Sequence, residues 1–297
     1  MQSHNQLDLS IITINYNGYT DTCEMVDSVI EQIQNVSYEL IIVDNASQNN
    51  EALLLQQRYP TITVIPAEHN LGFAGGNNIG LRQAEGKYIL LLNNDTYIKD
   101  DSIIRMIELM KLSPQIGMVS PLIKYAQDEH TIQYAGFTPL SPITLRNKGV
   151  GSGDPDNGQY ASAYRTAFAH GAAMLFKKDL LQIIGYMPEI YFLYYEEMDW
   201  CTHLSKRGYE IWVEPRCVVY HKESASTGQS SPLKAFYMTR NRLLYAKRNL
   251  DIVPRTLSYL YQLSVVVPKD CIKYSINKRK DLAQATWQGA KAFITLK

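Results

Sequence analysis

Cysteine is scarce: the 297 residues hold four, Cys23, Cys201, Cys217 and Cys271, far apart and with no CxxC pair. That spacing argues against a disulfide framework and a zinc knuckle, and it points to reduced thiols in a cytosolic compartment. Long apolar runs are missing too. Leu257–Val267 is mostly apolar but covers only eleven residues, is interrupted by Ser258, Gln262 and Ser264, and is expected to stop at Pro268; a bilayer-spanning helix needs about 20. The opening Met-Gln-Ser-His-Asn-Gln has neither the basic nor the apolar region of a secretory leader, so export is not expected. The GxGxxG fingerprint and the GxxxxGK[ST] phosphate loop are both absent, which disfavours a dehydrogenase, and Asn15–Thr20 lacks the Lys or Arg of a nucleotidyltransferase phosphate loop.

Net charge is absent as well, with 29 Lys and Arg against 29 Asp and Glu, but the balance conceals a division. Residues 234–297 hold 13 basic and 3 acidic side chains, a net of +10, which leaves residues 1–233 at −10 with 16 against 26. On charge alone such a tail suits an anionic membrane or a nucleic acid equally well; a solvated basic helix face is the plainer explanation.

What is present is a core-forming chain, 45% hydrophobic, long enough for one large α/β domain with an appendage. Leu9–Asn15, Tyr38–Asp44, Thr61–Ile65 and Tyr88–Leu92 are short β-branched or apolar runs, each closed by turn residues. Helical patterns lie between them over Asp21–Gln34, Glu51–Tyr59 and up to about Ala84. Alternation of this kind predicts βαβ units and a mostly parallel sheet flanked by helices. Lys124–Arg165, rich in Gly, Pro, Ser and Tyr, is expected to form an irregular excursion or small antiparallel strands over the site. The apolar pattern resumes at Gly171–Phe176, followed by a helix over Lys178–Ile184. A catalytic domain over 1–232 and a basic, helical C-terminal extension over 233–297 complete the organisation. An apolar stripe beside Lys269, Lys273, Lys278, Arg279 and Lys280 suits a helix lying on a membrane or one packed on the domain.

Ligands of open α/β sheets gather beyond the carboxyl ends of the strands, which selects Asn15, Asp44 and Asp95. Asp44 is placed to accept hydrogen bonds from a ligand or to cap a helix. Asp95, in Asn93-Asn94-Asp95-Thr96, offers a hard oxygen suited to Mg²⁺ or Mn²⁺ holding a diphosphate. Asn70–Gly80, with glycines at 72, 75, 76 and 80, permits close backbone approach to a ligand or forms a tight turn before a helix. Tyr191–Trp200 gathers Glu196, Glu197 and Asp199 among aromatics, where burial tunes a carboxylate toward general-base work; acids at a helix N-terminus are the alternative. His221 closes a further apolar run.

In this order the segments resemble the large family-two class of inverting glycosyltransferases, especially its rhamnosyltransferase-like members. The matching stretches are Ser10–Gly18, Val43–Ser47, Asn70–Gly80, Leu91–Thr96, Gly171–Phe176, Tyr194–Trp200 and His221-Lys222. The resemblance implies a glycosyltransferase-A fold and a nucleotide-diphosphate sugar donor bound by Asn15, Asp44, Asn45, Gly75, Asn78 and Asn94. It implies a divalent metal, Mg²⁺ or Mn²⁺, on Asp95 and His221. The family's acidic pair usually reads Glu-Asp with the second residue as base, a position that Glu197 takes here with Glu196 and Asp199 beside it. The partners implied are the nucleotide sugar, a glycan or lipid-linked acceptor and an anionic membrane surface at the inner face of the cell membrane, not a nucleic acid; the tail suits oligomerisation as well. Arg240 and Arg242 are positioned by charge to support the phosphates or an anionic acceptor lipid. A catalytically inactive sugar-nucleotide or glycan-binding module is the alternative, and it predicts damaged acids where this chain keeps Asp44, Asp95, Glu197 and His221.

Overall fold

The computed structural model describes residues 7–222 and 231–296; Met1–Gln6, on which the leader reading rests, lie outside the described residues. The first half alternates as its sequence pattern predicts: β1 (Leu9–Asn15), α1 (Tyr19–Gln32), β2 (Tyr38–Asp44), α2 (Glu51–Arg58), β3 (Thr63–Pro66), α3 (Gly72–Gln83) and β4 (Tyr88–Leu92). These strands run parallel in the order β3-β2-β1-β4. They read as continuous apolar runs because both faces of the sheet are covered. Leu9, Ile11, Leu90 and Leu92 pack with Met25, Val26 and Val29 of α1, while Ile12, Ile89 and Leu91 point the other way, toward Ala74 and Leu81 of α3.

The second half changes direction. β5 (Thr96–Tyr97), α4 (Ile103–Leu112), β6 (Ile116–Tyr125), β7 (Asp128–Tyr134), β8 (Tyr164–Thr166), β9 (Ala173–Lys177), α5 (Leu181–Ile184), α6 (Glu196–Lys206) and β10 (Glu210–His221) follow. The sheet continues β4-β9-β6-β10-β5. β9 runs antiparallel to both β4 and β6, β10 runs parallel to β6, and β5 and β8 pair antiparallel with β10. The first half of the sheet is thus parallel and the rest mixed. The reversal at β9 sets Ala173 opposite Leu92, which brings the loop before β9 to the carboxyl edge of β4. The Lys124–Arg165 excursion contains β7 and β8, both antiparallel additions.

The glycines of Asn70–Gly80 do not form an open loop ahead of a helix. They lie in α3 itself, where a Cβ at Gly80 would overlap Ile12 and one at Gly76 would press on Ile14, so this face lets the helix lie directly on β1.

Beyond residue 231 come α7 (Pro232–Asn249), α8 (Ile252–Tyr261), a π-helical turn over Gln262–Val266, α9 (Val267–Ile276) and α10 (Lys280–Thr295). Pro268 does not stop the helix. The Val267 amide reaches back to the Gln262 carbonyl, and this i→i+5 step admits the proline, which lacks a donor, in the first turn of α9. Tyr191 and Tyr195 share one apolar cluster with Leu244, Tyr245 and Ala246 of α7, so α7 seats against the segment leading into α6.

Candidate active site

Strand register places the site. Asn15 pairs with Asp44 at the carboxyl ends of β1 and β2, and Leu92 ends beside β1 just before Asn93–Asp95. Asn15 Nδ2 lies 2.6 Å from Asp44 Oδ1, 3.0 Å from Ser47 Oγ and 2.9 Å from Glu51 Oε2, while its Oδ1 accepts from Thr22 Oγ1 at 2.7 Å. Asn94 Nδ2 then donates to Thr22 Oγ1 at 3.0 Å, so one chain of hydrogen bonds links Asp44, Asn15, Thr22 and Asn94. Asp44 is buried, its Oδ2 accepting from the Ser47 amide. Thr22 and Glu51 escape a strand-end rule because both sit on helices.

The side chains of Asn45 and Asn78 are engaged with protein groups. Asn45 donates to Asn70 Oδ1 and to the Gly72 carbonyl and accepts from the Leu71 amide, which ties the end of β2 to the start of α3. Asn78 bonds both the amide and the carbonyl of Met187 as well as Glu189, and Gly75 faces Leu71. Side-chain hydrogen bonds group Asn15, Asp44 and Asn94; Asn45 adjoins them through its amide, which donates to the Asn15 carbonyl at 2.8 Å, while the Asn78 side chain bonds the Met187–Glu189 segment.

Asp95 and His221, far apart in the chain, meet because β5 pairs with the end of β10. His221 is opposite Thr96, and the Lys222 amide bonds the Asp95 carbonyl at 2.9 Å. His221 Nε2 is 3.2 Å from Asp95 Oδ1, off the line of a good hydrogen bond, so this buried oxygen has no aligned donor. Gln133 Oε1 sits 2.7 Å from His221 Nδ1, where it can accept a proton carried on that nitrogen, and the contact aims Nε2 at the carboxylate. A proton on Nε2, or a metal ion in its place, bridges this nitrogen and the carboxylate oxygen. Burial pushes the Asp95 carboxyl up, but His221 and then Lys222 outweigh it and hold it below the usual range. His170 stands edge-on to His221 at 6.0 Å and stays neutral, pushed down to about 3 by burial and by His221. Among the described residues no group of three His, Cys, Asp or Glu forms a closed metal cage. The open pair fits an ion that takes the rest of its shell from phosphate oxygens and water, the habit of Mg²⁺ and Mn²⁺.

Glu196 and Glu197 occupy the first turn of α6, Glu196 buried and Glu197 half-buried. One carboxylate oxygen of each, Oε2, is shielded from water and without a hydrogen-bond partner. Burial raises both carboxyls, and the charge of Glu197 raises Glu196 further. Asp199 turns the opposite way: it is fully buried against α7, paired with Arg248 at 2.9 Å and bonded by Asn249, so it belongs to the α6–α7 seam and not with the other two acids. The segment before β9 reaches the Asp95–His221 pair, since His170 meets His221.

A family model described as "Glycosyl transferase family 2" matches residues 10–182, more than half of the chain and the part that carries the Asn15–Asp44–Asp95 edge. The chain belongs to glycosyl transferase family 2. Low-salt glycan biosynthesis hexosyltransferase Agl10 of Haloferax volcanii is 27% identical over 248 residues, covering 80% of this chain and 75% of that protein. The N-acetylglucosaminyl-diphospho-decaprenol L-rhamnosyltransferase of Mycobacterium tuberculosis is 23% identical over 220 residues, 64% of this chain and 68% of that protein. Among solved structures, GalNAc-T7 with UDP, GalNAc and Mn²⁺ superposes with a TM-score of 0.64 at 16% identity, covering 94% of this chain and 59% of that one. The glycosyltransferase-A fold is thereby shared. Within this family 2 chain, the residues that sequence reasoning missed are Thr22, Glu51, Gln133 and His170. Gln133 gives no motif, being one polar residue in the alternating strand β7.

Proposed function

We propose that this family 2 glycosyltransferase is an inverting enzyme that moves a sugar, rhamnose being the favoured case, from a nucleoside-diphosphate donor to a hydroxyl of a glycan or lipid-linked acceptor in cell-surface polysaccharide synthesis. The observation that carries the reading is the buried Asp95 Oδ1 facing His221 Nε2 at 3.2 Å at the carboxyl edge of the sheet, beside the Asn15–Asp44 network. Asp44 and Asn15 receive the nucleoside. Asp95 and His221 would hold a divalent ion, which when bound would supply charge neutralisation for the leaving diphosphate. Glu197 takes the proton of the acceptor hydroxyl as that oxygen attacks the anomeric carbon; the bond to the diphosphate oxygen breaks and the configuration inverts. Glu197 suits the task because burial raises its carboxyl toward neutrality. Glu196, more deeply buried, is the second candidate for the base. The relatives in glycan assembly and the L-rhamnosyltransferase support the substrate class, with a deoxythymidine diphosphate donor as the leading choice.

The basic tail adds a second element: α8 and α9 dock this enzyme peripherally on an anionic bilayer carrying a lipid-linked acceptor. No helix among the described residues is long and apolar enough to cross a membrane, while the outward face of these helices is apolar with lysines around it.

Calorimetric titration with dTDP, UDP and GDP, with and without Mn²⁺, on wild type and Asp95→Ala tests the donor site. Selective, metal-enhanced binding that weakens in the variant is expected. Failure of all three to bind would overturn the transferase reading in favour of a glycan-binding module.

A further inference from the structure

Between the 3-10 turn Glu189–Tyr191 and α6 the chain passes through three non-glycine residues in the left-handed region, Phe192 (φ 63°), Tyr194 (φ 70°) and Tyr195 (φ 77°). Side chains of L-residues resist this conformation, and a run of it persists only where the surroundings over-determine it. Glu196 and Glu197 follow Tyr195 directly, so any relaxation of the segment would re-aim both carboxylates.

The surroundings that hold it come mainly from α7. Asn241, fully buried at mid-helix, directs Nδ2 at the carbonyls of Tyr191 (2.9 Å), Leu193 (2.7 Å) and Tyr194 (2.8 Å), three acceptors around one amide. Its Oδ1 accepts from Arg240 Nε at 2.8 Å, and Arg240 Nη2 donates to the Ile190 and Tyr191 carbonyls at 2.9 and 2.6 Å. Tyr237, one turn earlier, stacks on Phe192 at 5.1 Å, and Arg242 Nε donates to the Tyr195 hydroxyl at 3.1 Å. From the opposite side the Phe73 amide bonds the Phe192 carbonyl at 2.7 Å, at a point where a Cβ on Gly72 would overlap that carbonyl. Arg240 and Arg242, placed by charge alone as phosphate or lipid contacts, are instead turned onto protein groups.

We infer that Asn241, with Arg240 bonded to it, is a positioning residue for the transfer reaction: the pair fixes Tyr191–Tyr195 so that the carboxylates of the first turn of α6 face the acceptor, and it acts through them. The inference rests on the reading of Glu197 as the base.

The test compares Asn241→Leu, which keeps the size but removes the donor, with Asn241→Ser, which keeps one donor, and with Leu243→Ala as a destabilised control on the same helix. Turnover is read as nucleoside diphosphate released from dTDP-rhamnose, UDP-N-acetylglucosamine and GDP-mannose, beside the dissociation constant of the nucleotide and the pH dependence of kcat/KM. Asn241→Leu is expected to lose about 100-fold in kcat, the scale of an ångström-sized misplacement. Its nucleotide affinity should stay within about twofold, since uniform binding is untouched. The acid limb of its profile should move to lower pH as Glu197 hydrates. Asn241→Ser should fall between, and Leu243→Ala should keep the wild-type limb despite its lower Tm. Wild-type kcat and limb in Asn241→Leu would overturn the inference. Glu197→Gln, assayed in parallel, separates the two readings: full turnover there defeats the base assignment and leaves the effect of Asn241→Leu to be read independently. Should none of the three sugars be cleaved, amide hydrogen exchange decides, with loss of protection in Asn241→Leu confined to 190–197 expected and unchanged protection there refuting the clamp.

Discussion

Gln133 shows how much of a site rests on a residue that touches no substrate. Its oxygen lies 2.7 Å from His221 Nδ1 and so orients the ring with Nε2 toward Asp95. Partners of this kind set tautomer and ring orientation, and their loss typically weakens metal binding about 10- to 100-fold. Gln133→Leu is therefore expected to lower Mn²⁺-enhanced nucleotide binding by about that factor while leaving metal-free binding in place; calorimetry in which both are unchanged would remove Gln133 from the site. The paired glutamates make a prediction of opposite character. Burial, then the neighbouring charge, raises the Glu196 carboxyl above its unfolded value, so the folded chain holds this proton more tightly than the unfolded one. That contribution to stability is fully present below the unfolded pKa and is lost as pH rises through the folded one. Above the unfolded pKa, keeping this carboxyl buried therefore costs folding stability. Glu196→Gln should raise Tm by a few degrees at pH 8 and change it little at pH 4; a gain that is equal at both would show that the carboxyl is not the cause.

At the scale of elements, the α6–α7 seam decides where Glu197, the proposed base, points. Asp199 is wholly buried between Arg248 and Asn249, and removing its carboxylate leaves the buried Asn249 amide without its acceptor while Arg248, 32% exposed, turns to water, a cost of about 1–3 kcal/mol. Asp199→Ala should lower unfolding stability by about that amount in denaturant titration; an unchanged midpoint would mean that the seam is held elsewhere. The same seam marks the limit of what the chain discloses in one dimension. Strands β1, β2 and β4 are legible because each is an unbroken apolar run ending in polar turn residues, and that rule leads directly to Asn15, Asp44 and Asp95. The acids of Glu196–Asp199 are legible as a cluster but not as a division of labour. Only helical geometry turns Asp199 toward α7 while Glu196 and Glu197 stay on the first turn with unpartnered oxygens. The glycines of α3 mislead because a small residue has the same signature whether its neighbour is a ligand or the Ile12 and Ile14 side chains. Arg240 misleads because charge composition says nothing about burial. Pro268 ends a helix by rule, yet the π-turn before it removes the clash on which the rule depends.

For the whole molecule the open question is what meets the outward face of the C-terminal helices. The ordinary amphipathic arrangement is inverted in α8 and the π-turn: Ser258 and Gln262 are buried toward the protein, Gln262 donating to the Thr144 carbonyl at 2.9 Å, while Val253, Leu257 and Leu260 are 66%, 46% and 59% exposed. Ile272 and Ile276 extend the exposed apolar surface along α9, with Lys269, Lys273, Lys278 and Lys280 exposed around it. An apolar stripe bordered by lysines satisfies an anionic bilayer on both counts, each cation near the surface contributing about 1 kcal/mol and the buried side chains the remainder. Co-sedimentation with vesicles of phosphatidylcholine and phosphatidylglycerol should therefore show binding that falls as phosphatidylglycerol is withdrawn and as salt shortens the screening length. Leu257→Glu with Leu260→Glu should abolish that binding and leave calorimetric nucleotide binding intact, because neither side chain approaches the Asn15–Asp44 edge. If the double variant instead converts a dimer to a monomer in sedimentation analysis, with no vesicle binding by either protein, a second copy of this chain covers the face and the bilayer assignment falls.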